Sequence, residues 1–120
     1  MGKRILIVED DTYIRDLYKE LLTNEGYEVD WADNGKAALA LTEKLPDLVL
    51  LDIMLPGGMH GFDILEAMRH NPNTELIPVF ILTNLDSEKK SAMDIGAQEY
   101  LVKVNTAPDM LLAKVKEYLK

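Results

Sequence analysis

Residues 5–11 read ILIVEDD, so that four apolar side chains run directly into three acidic ones. An apolar run without alternation is typical of a strand that is buried on both faces, as in a parallel sheet. The pattern returns at residues 48–52, LVLLD, where four apolar residues precede Asp52. Two buried strands that each end in carboxylates predict a parallel sheet with a charged edge.

Strands and helices alternate along the rest of the chain. Short apolar runs at residues 29–32, 79–82 and 100–102 bring the number of predicted strands to five. The segments between and after the runs show helical spacing, and they cover residues 14–22, 35–45, 62–69, 87–95 and 106–119. Thr106 and Asp109 form a capping box that predicts the start of the last helix. This alternation predicts an α/β fold: a five-stranded parallel sheet in the order 2-1-3-4-5, with helices on both faces.

Length and composition narrow the class of protein. With 120 residues, 48% of them apolar, the chain is predicted to form one domain over residues 1–120 with its own core. The absence of cysteine excludes thiol catalysis and cysteine-bound metals. A net charge of −8 argues against nucleic-acid binding by this domain. No apolar run approaches the roughly 18 residues of a membrane span, so we expect a cytoplasmic protein that does not bind membranes.

Polar side chains follow the strands at the edge where a ligand is expected. In open α/β sheets that edge lies at the carboxyl ends of the strands, near the switch in strand order between strands 1 and 3. The residues are Glu9, Asp10 and Asp11 after strand 1, Asp52 after strand 3, Thr83 and Asn84 after strand 4, and Lys103 after strand 5. Each has an ordinary alternative role as a helix cap, a turn residue or a solvated side chain. Because all of them occur at one edge of the sheet, a functional site is favoured over these separate roles.

Crowded carboxylates stay ionised only beside a positive charge, and Mg²⁺ is a cation that binds such oxygens. An aspartate beside Mg²⁺ is also a possible nucleophile, which forms an aspartyl phosphate. The hydroxyl of Thr83 and the ammonium of Lys103 are then placed to bind phosphoryl oxygens. The sequence therefore predicts a magnesium-dependent phosphoryl site.

Four blocks of the sequence resemble the receiver (response-regulator) domain of two-component signalling, as in the chemotaxis regulator. They are residues 5–11, 34–39, 46–56 and 96–103. The resemblance implies that Asp52 is the phosphoacceptor. It also implies that Asp10, Asp52 and the backbone carbonyl of Met54 bind Mg²⁺ directly, and that Glu9 binds it through water.

The same resemblance implies a phosphorylation-dependent switch. A sensor histidine kinase or histidine phosphotransfer protein would donate the phosphoryl group, which Thr83 would hydrogen-bond and Lys103 would neutralise. Tyr100 holds the place of the family's aromatic switch residue. The helix 4–strand 5–helix 5 face would then bind a downstream protein. Such a domain phosphorylates and dephosphorylates itself, so it is a signalling domain rather than a conventional enzyme.

The chain departs from the family pattern at three places. Val104 stands where proline usually follows the lysine, and because a cis bond before a non-proline residue costs about 3–4 kcal/mol, we expect a trans Lys103–Val104 bond and a reshaped loop. Asn84 is larger than the usual residue and is expected to narrow the approach to the site. The loop at residues 55–61 has an extra glycine and carries His60 where aspartate is common. A degenerate receiver, which binds proteins without phosphorylation, therefore remains the alternative.

Two other α/β families are disfavoured by the residues that follow the first and third predicted strands. A haloacid-dehalogenase-type phosphatase needs a second aspartate two residues after its strand-end aspartate, but Met54 stands there. A flavodoxin-like flavin protein needs Ser, Thr and Gly in its first loop to bind phosphate. The three carboxylates of residues 9–11 would repel that group.

Overall fold

The computed structural model describes residues 2–120, in which five strands alternate with five helices. The strands are β1 (Arg4–Val8), β2 (Glu28–Ala32), β3 (Leu48–Leu51), β4 (Val79–Thr83) and β5 (Glu99–Val102). The helices are α1 (Thr12–Asn24), α2 (Gly35–Thr42), α3 (Gly61–Arg69), α4 (Lys89–Ile95) and α5 (Pro108–Tyr118), with a 3₁₀ turn at Lys103–Asn105. All strand pairs are parallel, and the order is β2-β1-β3-β4-β5. The predicted fold is therefore confirmed.

The sheet separates two apolar layers. Because successive side chains of a strand point to opposite faces, Ile5 and Ile7 pack with α1 and α5, whereas Leu6 and Val8 pack with α2, α3 and α4. Both layers bury apolar residues of β3 and β4 as well. The continuous apolar runs in the sequence are explained by this burial on both faces. None of the helices in residues 2–120 has the length and apolar character needed to cross a membrane.

Some predicted element boundaries are wrong. The capping box at Thr106 does not form: the Thr106 hydroxyl donates to the Val102 carbonyl at 2.9 Å, because the 3₁₀ turn separates β5 from α5. Helix α5 begins instead at Pro108, a residue suited to the first turn of a helix because it lacks an N–H. Helix α2 ends at Thr42 rather than at Leu45, whose φ of 56° is left-handed.

The buried stripe of α1 also differs from the prediction. Helical spacing in the sequence predicts one buried stripe that includes Leu17, Tyr18 and Leu22. Tyr18 and Leu22 are buried as expected, but Leu17 is 40% exposed. Arg15 is buried in its place, with its guanidinium carbon 3.8 Å from the ring centroid of Trp31 on the edge strand β2. A cation above an indole ring is attracted by the ring's quadrupole, which helps an arginine to be buried at a position outside the predicted stripe.

The strand register brings the site residues together. Val8 pairs with Leu51, so that Glu9 and Asp52 follow at the ends of adjacent strands. Thr83 pairs with Val102, which places Lys103 beside the end of β4. One sheet edge thus collects side chains from four strands.

Candidate functional site

Three carboxylates form the centre of the site. Glu9, Asp10 and Asp52 each offer an oxygen that lies within 4.8 Å of the other two. Glu9 and Asp52 are only 3% and 7% exposed, whereas Asp10 faces solvent. Burial raises the pKa of Glu9 above its ordinary value, although Lys103 acts against this rise. Positive charge beside Glu9 therefore favours its ionised form.

Lys103 supplies part of that charge. Its Nζ lies 2.8 Å from Asp52 Oδ2 and 2.5 Å from Glu9 Oε2. Burial acts to lower the pKa of Lys103, but the hydrogen bonds to Asp52 and Glu9 outweigh it, so the pKa is raised and the ammonium is retained. One partly buried cation therefore bridges two buried anions.

An open cavity of about 400 Å³ lies over these groups. It is lined by Glu9, Asp10, Asp11, Ile14, Asp52, Met54, Thr83, Asn84, Leu85 and Lys103. All the strand-end residues singled out in the sequence thus share one cavity. Ile14 and Leu85 were not predicted there, because nothing in an apolar side chain marks it as part of a polar site.

The loop after Asp52 is held close to the carboxylate. The Met54 N–H donates to Asp52 Oδ1 at 3.3 Å, and the Gly61 N–H donates to the Ile53 carbonyl at 2.9 Å. A Cβ on Gly61 would lie 2.1 Å from the Asp52 carbonyl oxygen, so only glycine fits there. The first residue of α3 is thereby packed directly against the Asp52 backbone.

Gly61→Ala is expected to lower the free energy of unfolding by about 1–3 kcal/mol, since the added methyl group forces the Asp52 backbone to move. Urea denaturation measures this change. Gly57→Asn is the comparison variant: nothing lies within 4 Å of a Cβ at this position, so the substitution adds no steric clash and costs only the strain of a side chain at a φ of +90°. Equal stability of the two variants would contradict the close packing of Gly61.

Thr83 and Tyr100 meet at one backbone segment. Thr83 is 1% exposed, and its Oγ1 accepts a hydrogen bond from the Leu85 N–H at 3.4 Å. The Tyr100 hydroxyl donates to the Leu85 carbonyl. Partial burial raises the pKa of Tyr100, which keeps this hydroxyl protonated. The Leu85 backbone therefore connects Thr83, which lines the cavity, to the Tyr100 side chain of β5.

The family model described as the response regulator receiver domain matches residues 5–116. The chain belongs to the response regulator receiver domain family. The predicted resemblance is thus confirmed, and the chain is a receiver domain of two-component signal transduction.

Curated relatives and solved structures agree with this assignment. PhoB, a phosphate regulon transcriptional regulatory protein of Rhizobium meliloti (strain 1021), is 38% identical over 123 residues, which cover 100% of this chain and 53% of PhoB. The response regulator PleD of Caulobacter vibrioides is 40% identical over 106 residues, which cover 86% of this chain and 23% of PleD. This receiver domain therefore spans about half, or less, of those relatives.

Two solved structures superpose over nearly the whole receiver domain. A putative response regulator from Chloroflexus aurantiacus J-10-fl has a TM-score of 0.91 at 34% identity, with 99% of this chain and 98% of that chain covered. The chemotaxis response regulator CheY4 of Vibrio cholerae has a TM-score of 0.89 at 30% identity, with 98% and 99% covered. The likeness includes the full sheet and all five helices.

Among the departures of this receiver domain from the family pattern, Val104 and His60 lie outside the cavity. No cis peptide bond occurs in residues 2–120, so the Lys103–Val104 bond is trans as expected, and it lies within the 3₁₀ turn Lys103–Asn105. Val104 is 79% exposed. His60 is exposed and lies immediately before α3, where its N–H donates to Asp63 Oδ2 at 2.8 Å. Only Asn84, among these departures, lines the cavity.

Proposed function

We propose that this receiver domain accepts a phosphoryl group from a phosphohistidine partner onto Asp52, in a Mg²⁺-dependent reaction, and thereby switches its α4–β5–α5 face. The main support for this proposal is that Asp52 lies close to Glu9, Asp10 and Lys103 in one open cavity. The cavity is accessible from solvent, yet the nucleophile at its floor is buried and held at both oxygens. This geometry suits transfer of a small charged group from a docked partner.

The donor set fits Mg²⁺. This ion prefers oxygen ligands, commonly one or two carboxylates together with water and phosphate oxygens. Asp10, Asp52 and the Met54 carbonyl would hold it directly, and Glu9 through water. When bound, Mg²⁺ supplies positive charge to the transferring phosphoryl oxygens.

Asp52 is the nucleophile in the proposed transfer. One of its carboxylate oxygens forms a bond to phosphorus while the phosphorus–nitrogen bond of the donor breaks, and the electron pair of that bond returns to the imidazole. The Lys103 ammonium, already 2.8 Å from Asp52, is placed to neutralise the phosphoryl charge. Attack of water on phosphorus later regenerates the carboxylate, so the domain both gains and loses the group by its own chemistry.

Thr83 carries the response toward Tyr100. The Thr83 oxygen already accepts from the Leu85 N–H, which leaves the hydroxyl hydrogen to donate to a phosphoryl oxygen. Movement of Thr83 toward the phosphoryl group therefore pulls on the Leu85 backbone, whose carbonyl holds Tyr100. Tyr100 belongs to β5, between α4 and α5 in the proposed output face.

The partners follow from this chemistry. We propose a sensor histidine kinase or histidine phosphotransfer protein as the donor and a downstream protein as the target of the α4–β5–α5 face. The net charge of −8 disfavours direct nucleic-acid binding by this domain. We propose the cytoplasm as the compartment, because the histidine-kinase partner presents its phosphohistidine there.

Incubation of the protein with acetyl phosphate tests the function. We expect intact mass spectrometry to show one added phosphoryl group when MgCl₂ is present and none when EDTA replaces it. No added group under either condition, together with no Mg²⁺ binding by calorimetry, would favour the degenerate receiver, a protein-binding module without phosphorylation.

Asp10→Ala is expected to weaken Mg²⁺ binding at least about tenfold, or about 1.4 kcal/mol, because a direct ligand is lost. The metal-free protein should be equally stable or slightly more stable, since the change relieves repulsion among crowded carboxylates. Isothermal titration calorimetry and thermal unfolding measure the two effects. Asp86→Ala, which removes an equal charge from the exposed β4–α4 loop, is the control. A marked loss of metal-free stability in Asp10→Ala would show that Asp10 is structural.

A further inference from the structure

Arg69, the last residue of α3, contacts two other segments of the chain, residues 74–75 and 96–98. Its Nε donates to the Gly96 carbonyl at 3.0 Å, and its Nη2 donates to Gln98 Oε1 at 2.8 Å. Its Nη1 donates to the carbonyls of Thr74 and Glu75 at 3.4 and 3.2 Å. All four acceptors are uncharged oxygens, and burial lowers the pKa of the guanidinium. These hydrogen bonds depend on the positions of the donors and acceptors and not on an opposite charge. We call this set of hydrogen bonds the Arg69 clamp.

The acceptors lie where α4 ends and β5 begins. Gly96 is the C-cap of α4 with a φ of +124°, and a Cβ there would lie 3.0 Å from Arg69 Nε. Gln98 Oε1 also accepts from the Val79 N–H at 2.7 Å, while the Gln98 N–H donates to the Val79 carbonyl at 2.9 Å. Arg69 therefore fixes the α4–β5 connection to both α3 and the start of β4.

Within residues 2–120, the N-terminal end of α4 has no side-chain hydrogen bond comparable with those that Arg69 makes at the C-terminal end. The N-cap residue, Glu88, makes no side-chain capping hydrogen bond. Within the seven residues of this helix, Ala92 is the buried one. The preceding loop contains Leu85, the backbone segment that both Thr83 and Tyr100 contact. The C-terminal end of α4 is therefore fixed by Arg69. Its N-terminal end is attached to the Leu85 segment, which would move with Thr83.

Helix α3 extends from the site to the clamp. It starts at Gly61, which packs on the Asp52 carbonyl, and it ends at Arg69. Ile64, Leu65 and Met68 are each at most 1% exposed, so the helix is fixed in the core along its length. Its far end provides a rigid support for α4.

We propose that Arg69 is a positioning residue that anchors the C-terminal end of α4 and the start of β5, so that α4 pivots about Gly96 when its N-terminal end moves. The anchor itself is a property of the unphosphorylated protein. The pivoting rests on the function proposed above, because the movement starts from phosphorylated Asp52.

Hydrogen exchange of the unphosphorylated protein tests the anchor. In Arg69→Gln we expect the amides of Gly96, Ala97 and Gln98 to exchange at least about tenfold faster than in wild type, which corresponds to about 1.4 kcal/mol of local stability. The amides of β1 and β3 should be unchanged and serve as the internal reference for global unfolding. Unchanged exchange at residues 96–98 would overturn the anchor, as would an equal rise in β1 and β3.

Three further variants sharpen the test. Arg69→Lys keeps the charge but has no planar fork, so it should also speed exchange at residues 96–98. Gln98→Glu keeps the acceptor oxygen and adds a charge opposite Arg69, so exchange there should be equal or slower. Arg4→Gln, which removes a guanidinium paired with Asp30 at 2.9 Å between β1 and β2, should leave residues 96–98 unaffected. Faster exchange in Gln98→Glu would overturn the proposed clamp.

Exchange after phosphorylation tests the pivot. In wild type treated with acetyl phosphate and MgCl₂, changes should be concentrated in residues 84–91, and residues 96–98 should remain protected. Equal changes at both ends of α4 would overturn the pivot. If no phosphoryl group is gained, the proposed function fails and the pivot fails with it, but the anchor still stands or falls on the unphosphorylated protein.

Discussion

Asp52→Asn is expected to gain no phosphoryl group from acetyl phosphate and MgCl₂, whereas the wild-type protein gains one. Asparagine keeps the size of the side chain and one oxygen, but it has no anionic oxygen with which to attack phosphorus. The amide also leaves the Lys103 ammonium with one carboxylate partner, Glu9, instead of two. Intact mass spectrometry over a time course measures the result directly.

Asp11→Asn is the matched control for this change. Asp11 lines the same cavity but caps α1, where its Oδ1 accepts from the Ile14 N–H at 3.1 Å. Asparagine is as good an N-cap as aspartate, so the fold should be kept. Labelling of Asp11→Asn at nearly the wild-type level, with none of Asp52→Asn, identifies the acceptor. Equal labelling of Asp52→Asn and wild type would refute the assignment.

Lys103→Met is expected to lower the free energy of unfolding of the metal-free protein by about 3–5 kcal/mol, because removing one partner of a buried ion pair leaves uncompensated buried charge. Glu9 and Asp52 would then face each other without a cation. Added Mg²⁺ should recover more stability in this variant than in wild type, since it restores positive charge to the same two carboxylates. Urea denaturation with and without MgCl₂ measures both effects.

Lys90→Met provides the comparison on the surface. Lys90 forms an ion pair with Asp94 at 3.0 Å, but its side chain is 89% exposed, and such a pair contributes less than about 1 kcal/mol. A Lys103→Met destabilisation no larger than that of Lys90→Met would contradict a structural role of the Lys103 bridge. We also expect Lys103→Met to accept a phosphoryl group, because Asp52 and the proposed metal ligands remain, but to fail in switching.

The fold and the position of the site were predictable because both depend on side-chain type. Apolar runs such as residues 48–51 identify buried parallel strands, and carboxylates that follow those strands must meet at one edge. The register only sharpened this conclusion, by placing Lys103 beside the end of β4. The order of apolar and polar residues along the chain was therefore enough to predict which polar residues share this cavity.

The features that the sequence did not predict depend on hydrogen bonds to backbone groups. Because every residue has the same backbone carbonyl, residue type does not indicate which carbonyl will be used. The carbonyl of Leu85 that holds Tyr100 and the carbonyl of Gly96 that holds Arg69 leave no mark in the sequence. The 3₁₀ turn that displaces the start of α5 is likewise a local backbone choice, and it left the Thr106 hydroxyl with a different partner. Pairings of this kind become visible only when the chain is folded.

The bridge between Lys103 and Glu9 joins positions 94 residues apart, and this separation bears on protein synthesis. A nascent chain that has left the ribosome as far as Asp52 already carries Glu9 and Asp52, but not the ammonium that bridges them. The carboxylates can be buried together at low cost only after β5 has been made and has docked at the sheet edge. The neutralised carboxylate cluster therefore forms late in biogenesis, once β5 has joined the sheet.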